Sequence, residues 1–243
     1  MSLSSPHFIL AHGLNVQPVV MQALANELGW SEEKHSVICL PGHNEGEELS
    51  RDTANRWLGS FRDQYQAVRQ KHTEIIFLGY SLGGLLMTYL LGKGEIVAPQ
   101  KQILLAPALA FQQWTRIPSL IPEETLDQVT IPSFTPKYYK AQFGVSLGAY
   151  KVLFAISSKL DQMKPARFNI PTLVLCDQWD ELVQPQGLHK FIEAKKLSHW
   201  ELSIVSSGFW QRWGKKHLLI AKEYRSTDQW KQIRQQIRAF ANG

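Results

Sequence analysis

Cysteine is scarce: Cys39 and Cys176 are the only two in 243 residues. Two thiols cannot staple a small fold, so a disulfide framework is excluded and a reducing, cytoplasmic setting is the expectation. Long apolar runs are also missing. No stretch approaches the roughly 18 residues that a membrane span needs. Residues 1–6 carry neither a basic n-region nor an apolar h-region before Phe8-Ile9-Leu10-Ala11, so no secretory leader is expected. Runs of like charge are equally scarce. Lys+Arg outnumber Asp+Glu by 26 to 21, a net charge of +5 with pI ≈ 9.1, but the longest basic runs are the pairs Lys195-Lys196 and Lys215-Lys216. Such a dispersed surplus describes a solvated surface, and no nucleic-acid partner is expected. There is no H-E-x-x-H, cysteine pair, Walker A loop or G-x-G-x-x-G after any expected strand, so neither a metal nor a nucleotide cofactor is expected.

What is present is a chain rich enough in apolar residues, 44%, to bury a sizeable core in one domain. Short apolar runs recur: His7–Ala11, Ser36–Leu40, Ile75–Leu78, Gln102–Ala106, Thr172–Cys176 and Glu201–Val205. Each is apolar along its length rather than at alternate positions, as in parallel strands covered on both faces. Helical periodicity fills the intervals. Pro18 opens one helix, with Val19, Val20, Ala23, Leu24 and Leu28 apolar and Gly29 as its stop. Ser50 is the expected N-cap of a second helix, with Trp57, Leu58, Phe61, Tyr65 and Val68 on one face. Ser226-x-x-Gln229 has the form of a capping box ahead of Trp230, Ile233, Ile237 and Phe240. Alternating strand and helix predicts an α/β domain, residues 1–243, with a mostly parallel sheet of about six strands flanked by helices.

Residues 107–164 interrupt that alternation. Pro107, Pro118, Pro122, Pro132 and Pro136 punctuate them, and Phe111, Trp114, Phe134, Tyr138, Tyr139, Phe143, Tyr150 and Phe154 supply apolar bulk. A structureless loop of that length is uncommon in a compact domain, so a small helical cap inserted after the fourth strand is expected.

The sharpest motif is Gly79-Tyr80-Ser81-Leu82-Gly83-Gly84, a G-x-S-x-G between the third strand and Leu85-Leu86-Met87. In that context the serine occupies a tight strand-to-helix turn that lifts its hydroxyl clear of the sheet, and flanking glycines let helix and strand approach. A serine hydroxyl needs a base to become a nucleophile, and histidine suits the task near neutral pH. Sites in open parallel sheets lie beyond the carboxyl ends of the strands. That criterion sets aside His7, His35, His72, His189 and His199 and retains His12, His43 and His217. A carboxylate must orient the base, and Asp177, Asp180 and Glu181 all follow the fifth strand.

These residues resemble the α/β-hydrolase superfamily, in particular the small bacterial carboxylesterases and monoacylglycerol-lipase-like serine hydrolases. The resemblance rests on Ala11-His12-Gly13-Leu14, Pro41-Gly42-His43, the serine motif, Pro171–Leu175 leading to Asp180, and Lys216-His217-Leu218-Leu219-Ile220. It implies Ser81 as nucleophile, His217 as base and Asp180 as the orienting acid, in the chain order that this fold uses. It also implies an oxyanion hole built from the Leu14 and Leu82 backbone N–H groups, with His12, Tyr80 and His43 as pocket or supporting residues. Two positions depart from the family pattern. Asp177 stands where relatives commonly carry glycine, and Lys215-Lys216 precede the base where relatives usually place glycine. One expectation is that these lysines lower the pKa of His217 or favour an anionic substrate; exposed lysines on a loop are the plainer reading.

The function expected from the resemblance is hydrolysis of a small-molecule carboxylic ester with a small or medium apolar acyl group, through an acyl-enzyme. A thioesterase, lactonase or short-amide hydrolase would use the same triad. A non-catalytic binding protein on the same fold is the alternative of a different class.

Overall fold

The computed structural model describes residues 6–44, 46–49, 55–112, 128–133, 135–206 and 215–243. Ser50, the expected N-cap, and the aromatic residues Trp114, Phe134, Phe209, Trp210 and Trp213 lie outside the described residues.

Six parallel strands form the main sheet: β1 (His7–Ala11), β2 (His35–Ile38), β3 (Ile75–Tyr80), β4 (Lys101–Leu105), β7 (Thr172–Asp177) and β8 (Trp200–Val205). Their spatial order is β2-β1-β3-β4-β7-β8. The chain steps outward from β1 to β2, then crosses back to β3 on the other side of β1. That reversal creates a crevice beyond the carboxyl ends of β1 and β3, where ligands bind in open sheets. The central strands are buried on both faces because they are apolar along most of their length; β3 is buried throughout. β8, at an edge, is less covered, with Glu201 and Ile204 exposed and Trp200 and Val205 buried.

Helices cover both faces: α1 (Pro18–Glu27), α2 (Trp57–Arg69), α3 (Leu82–Lys93), α5 (Pro185–Ala194) and α6 (Thr227–Asn242). Sequence character sets their depth. Helix α2 buries Trp57, Phe61 and Tyr65 and exposes its charges. Helix α3 is apolar all round, and every residue from Leu82 to Leu91 is buried. Ser226 caps α6: its hydroxyl accepts the Gln229 N–H, and the Gln229 side chain accepts the Ser226 N–H.

The described part of the insertion is a two-stranded antiparallel ladder, β5 (Thr130–Pro132) with β6 (Gly144–Ser146), followed by helix α4 (Leu147–Leu160). The described insertion therefore holds a short ladder as well as a helix. Helix α4 packs on α3, burying Leu153, Ile156 and Leu160 in the same apolar cluster as Leu86 and Leu90. Ahead of the ladder's second strand, residues 139–142 dock on the loop after β1. Gln17 N–H donates to the Tyr139 carbonyl, and Asn15 exchanges two hydrogen bonds with the Gln142 backbone, at 3.1 and 2.7 Å. No helix among the described residues is long and apolar enough to cross a membrane.

Candidate active site

Ser81 sits between β3 and α3 with φ 48° and ψ −109°. A left-handed φ is rare for a residue with a side chain and persists only where surrounding structure imposes it. Here the imposition is mutual. Ser81 N–H donates to the Leu105 carbonyl at 2.9 Å, and the Ser81 carbonyl accepts the Ala108 N–H at 3.1 Å. The adjoining glycines are required by space. A Cβ on Gly79 would lie 2.7 Å from the Gly84 nitrogen, and one on Gly83 would lie 2.5 Å from the Ala11 carbonyl oxygen. Strand, turn and first helical turn can close this tightly only without side chains at those points.

His217 and Asp180 complete a hydrogen-bonded line with Ser81. Ser81 Oγ is 3.0 Å from His217 Nε2, and His217 Nδ1 is 3.1 and 3.0 Å from Asp180 Oδ1 and Oδ2. A carboxylate only accepts, so the Nδ1–H donates to Asp180 and Nε2 is left to accept the serine proton. Asp180 is itself immobilised: its Oδ1 also accepts the Leu182 and Val183 N–H groups, each at 2.8 Å. All three side chains are buried, Ser81 and His217 each retaining 7% exposure and Asp180 2%. Burial works against the imidazolium, but the Asp180 carboxylate, helped by Glu181, outweighs it and raises the His217 pKa above 6.5.

The other two acids of this loop have different partners. Asp177 forms a fully buried ion pair with Arg225, and its Oδ1 accepts the Trp179 N–H at 2.8 Å. Glu181 accepts the His217 backbone N–H at 2.8 Å. Neither carboxylate is hydrogen-bonded to the His217 ring. Arg225 lies between the His217 segment and the Ser226 cap without belonging to either motif, and its role was not foreseen from sequence; the departure from glycine at Asp177 was the only local sign.

Lys216 differs from the exposed loop lysine expected. It is buried, 4% exposed, and burial lowers its pKa while the Asp177 carboxylate opposes that shift. The His217 pKa is raised, and Arg225 is a cation that pulls against that rise.

The loop after β1 lies against the serine. A Cβ on Gly13 would approach Ser81 Cβ to 3.1 Å and Tyr80 Cε1 to 2.7 Å. Leu14 and Asn15 form a turn closed by Val16 N–H to the Gly13 carbonyl at 3.2 Å, with Asn15 at φ 56°. The Leu14 N–H and the Leu82 N–H, the first amide of α3, find no backbone acceptor among the described residues. Unpaired amides at a helix start present positive potential to an anion.

His12 is wholly buried. Its Nδ1–H donates to the Gly13 carbonyl at 3.0 Å, and its Nε2 accepts the Leu40 N–H at 3.1 Å. It ties the loops after β1 and β2 together and presents no surface to a substrate. Burial, reinforced by His43, holds its pKa well below 6.5. His43 is also wholly buried, between His12 and Trp57, and donates from Nδ1 to the Leu40 and Pro41 carbonyls. Burial lowers its pKa to about 4. Tyr80 packs its ring against His217 at 5.3 Å between centroids and is 2% exposed.

Phe111, Tyr150 and Phe154 form an aromatic cluster beside the acid loop, joined to it where Phe111 pairs with Val183. Tyr138 and Phe143, by contrast, are 59% and 74% exposed. A groove of about 590 Å³ between α1 and α6, walled by Glu27, Tyr138, Tyr139, Lys222, Trp230 and Arg234, does not reach Ser81. Among the described residues no group of three His, Cys, Asp or Glu side chains is placed to hold a metal ion.

No family model matches the sequence, and no curated protein is detectably similar to it. Solved structures are. A soluble variant of monoglyceride lipase from Saccharomyces cerevisiae superposes with a TM-score of 0.72 at 14% identity, covering 99% of this chain and 87% of that one. The monoacylglycerol lipase of Paleococcus ferrophilus gives 0.70 at 15% identity, covering 98% and 95%. A lipase-esterase related protein from Clostridium acetobutylicum gives 0.62 at 18% identity, again covering 98% and 95%. With a switch-point serine on a strained strand-to-helix turn and likeness over nearly the whole of both chains, this protein has the α/β-hydrolase fold.

Proposed function

We propose that this protein is a serine hydrolase that cleaves carboxylic esters of small or medium apolar acyl groups through an acyl-enzyme intermediate. The hydrogen-bonded line Ser81–His217–Asp180 carries the reading. Ser81 Oγ attacks the ester carbonyl as His217 Nε2 takes its proton. Asp180 holds the imidazole in the tautomer that leaves Nε2 free and stabilises the imidazolium once formed. His217 then returns the proton to the leaving alcohol. In the second half it deprotonates a water that attacks the acyl carbonyl, releasing the acid and restoring Ser81.

The negative charge that develops on the carbonyl oxygen is assigned to the Leu14 and Leu82 N–H groups. A donor of this kind contributes about 10²–10³ in rate. Their proposed role is supported by the lack of backbone partners for either amide and by the contact of Gly13 with Ser81. Phe111, Tyr150 and Phe154 are the proposed apolar wall. Monoglyceride and monoacylglycerol lipases are among the similar structures, so glycerol monoesters belong in the first substrate panel beside thioesters, lactones and short amides. A cytoplasmic location is proposed on the free thiols of Cys39 and Cys176.

The test is labelling with a fluorophosphonate probe and turnover of p-nitrophenyl esters in the native protein and in Ser81→Ala. Stoichiometric, Ser81-dependent labelling with burst kinetics is expected. Equal inertness of both proteins would sink the reading.

A further inference from the structure

The peptide unit joining Lys216 to His217 is gripped at both polar ends by charged side chains. Its carbonyl accepts from Arg225 Nη2 at 2.5 Å, and its N–H donates to Glu181 Oε2 at 2.8 Å. Both grips trace back to the loop that carries Asp180. Glu181 is the next residue in the chain. Arg225 reaches the loop through Nη1, which donates to Asp177 Oδ2 at 2.5 Å, three residues before Asp180. The Asp177 and Arg225 side chains have no exposure at all.

We propose that Asp177, Arg225 and Glu181 form a clamp that sets the plane of the Lys216–His217 peptide relative to Asp180, making Arg225 a positioning residue for His217. This rests on the hydrolase reading above, because it concerns the base of that same site.

The physical case begins with cost. A buried ion pair recovers little more than the desolvation it requires, so stability alone is a weak reason for one. What this pair supplies is geometry. One planar guanidinium addresses two acceptors on two different loops, which a single ammonium cannot reproduce. Its Nε finds no partner among the described residues, so the fork is aimed at these two acceptors and not at full satisfaction of its own hydrogen bonds. Three rotatable bonds, φ, χ1 and χ2, separate the imidazole of His217 from the peptide plane that is held. Fixing that plane anchors the first of them and so narrows where Nε2 can meet Ser81, and displacements of about 1 Å at such a site cost up to 10²-fold in rate.

The clamp is also charged. His217 is faced by Asp180 and Glu181 from the acid loop, by Arg225 from beyond the base loop and by the uncharged Tyr80 ring from β3. Arg225 opposes the imidazolium that the two carboxylates favour.

The experiment measures the Ser81 phosphonylation rate and the pH dependence of ester turnover, with circular dichroism as a check of folding. Arg225→Lys keeps the charge but loses the fork. It is expected to react about 10- to 100-fold more slowly with KM within about twofold. Arg225→Met removes the opposing cation and is expected to move the acid limb of the pH–rate profile upward. Asp177→Asn leaves Arg225 unbalanced and is expected to move it downward. In Asp177→Asn/Arg225→Met the limb returns towards its native position while the rate stays at least about tenfold low, since the Lys216 carbonyl is still released. Glu181→Gln can still accept the His217 N–H and is expected to retain more activity than Glu181→Ala.

Native rates in Arg225→Lys, together with an unmoved acid limb in Asp177→Asn, overturn the clamp. If Arg225→Met does not fold, the Arg225→Lys rate and the Asp177→Asn limb decide alone. A native protein no more reactive than Ser81→Ala overturns the hydrolase reading and the clamp with it.

Discussion

Asp180 meets His217 with both carboxylate oxygens, Oδ1 and Oδ2 lying 3.1 and 3.0 Å from Nδ1. Two further amides converge on Oδ1, so the carboxylate cannot turn away without breaking three hydrogen bonds. Asp180→Asn keeps the shape but offers an amide that does not enforce the same tautomer. Ester turnover at pH 8 is expected to fall by about 10³–10⁴ while the fold persists. A loss below tenfold in a steady-state assay would assign the orienting acid elsewhere.

In the proposed mechanism His217 must be neutral to accept the serine proton. Since the His217 pKa is raised above 6.5, activity is expected to rise with pH through an acid limb placed above that value. A kcat/KM profile on a neutral p-nitrophenyl ester measures it directly. A limb well below 6.5 would show that the carboxylates do not govern the base.

Stability is expected to weaken in acid for a different reason. His43 titrates at about 4 when folded and near 6.5 when unfolded. The unfolded chain therefore binds the extra proton between those values, and the stabilisation present above pH 6.5 is lost as pH falls through that window. His12, also depressed, acts in the same sense. His217 works oppositely: its raised pKa contributes stability below pH 6.5 that is lost as pH rises through its folded value. In urea unfolding, His43→Phe is expected to shrink the difference in unfolding free energy between pH 7.5 and pH 5 by about 2 kcal/mol. An unchanged difference would relieve His43 of that role.

Glycine content divides by space. Gly83→Ala places a Cβ 2.5 Å from the Ala11 carbonyl oxygen and is expected to destabilise by about 1–3 kcal/mol or prevent folding. Gly59, on α2, has nothing within 4 Å of the added atom. Gly59→Ala is expected to stabilise by about 0.5–1 kcal/mol. Urea midpoints of the two variants, moving in opposite directions, check both.

Most of the fold was legible because the determinants are local. Each of the six apolar runs became a strand of the one parallel sheet, with ends moved by a residue or two: the run at Ser36–Leu40 became His35–Ile38, and that at Thr172–Cys176 extends to Asp177. Proline and capping signals placed α1 and α6 correctly. The insertion was less legible. Its prolines and aromatics announced a departure from alternation, but the β5–β6 ladder pairs three residues with three across an intervening stretch, too short to give a periodic signal.

Sequence by itself determined the α/β architecture, the strained turn at Ser81 and the narrowing of base and acid to a few candidates. These follow from periodicity, from glycine spacing and from which side chains can carry a proton near neutral pH. Tertiary structure decided what those candidates touch. It placed His217 between Ser81 and Asp180, diverted Asp177 to Arg225, gave Glu181 the backbone of His217, and turned His12 from a rival base into a strut between two loops. The physical reason is that hydrogen bonds are made at about 3 Å between atoms whose residues stand 28 to 136 positions apart. Residue type sets which bonds are possible, but only the packed loops at the carboxyl edge of the sheet bring particular donors and acceptors within reach.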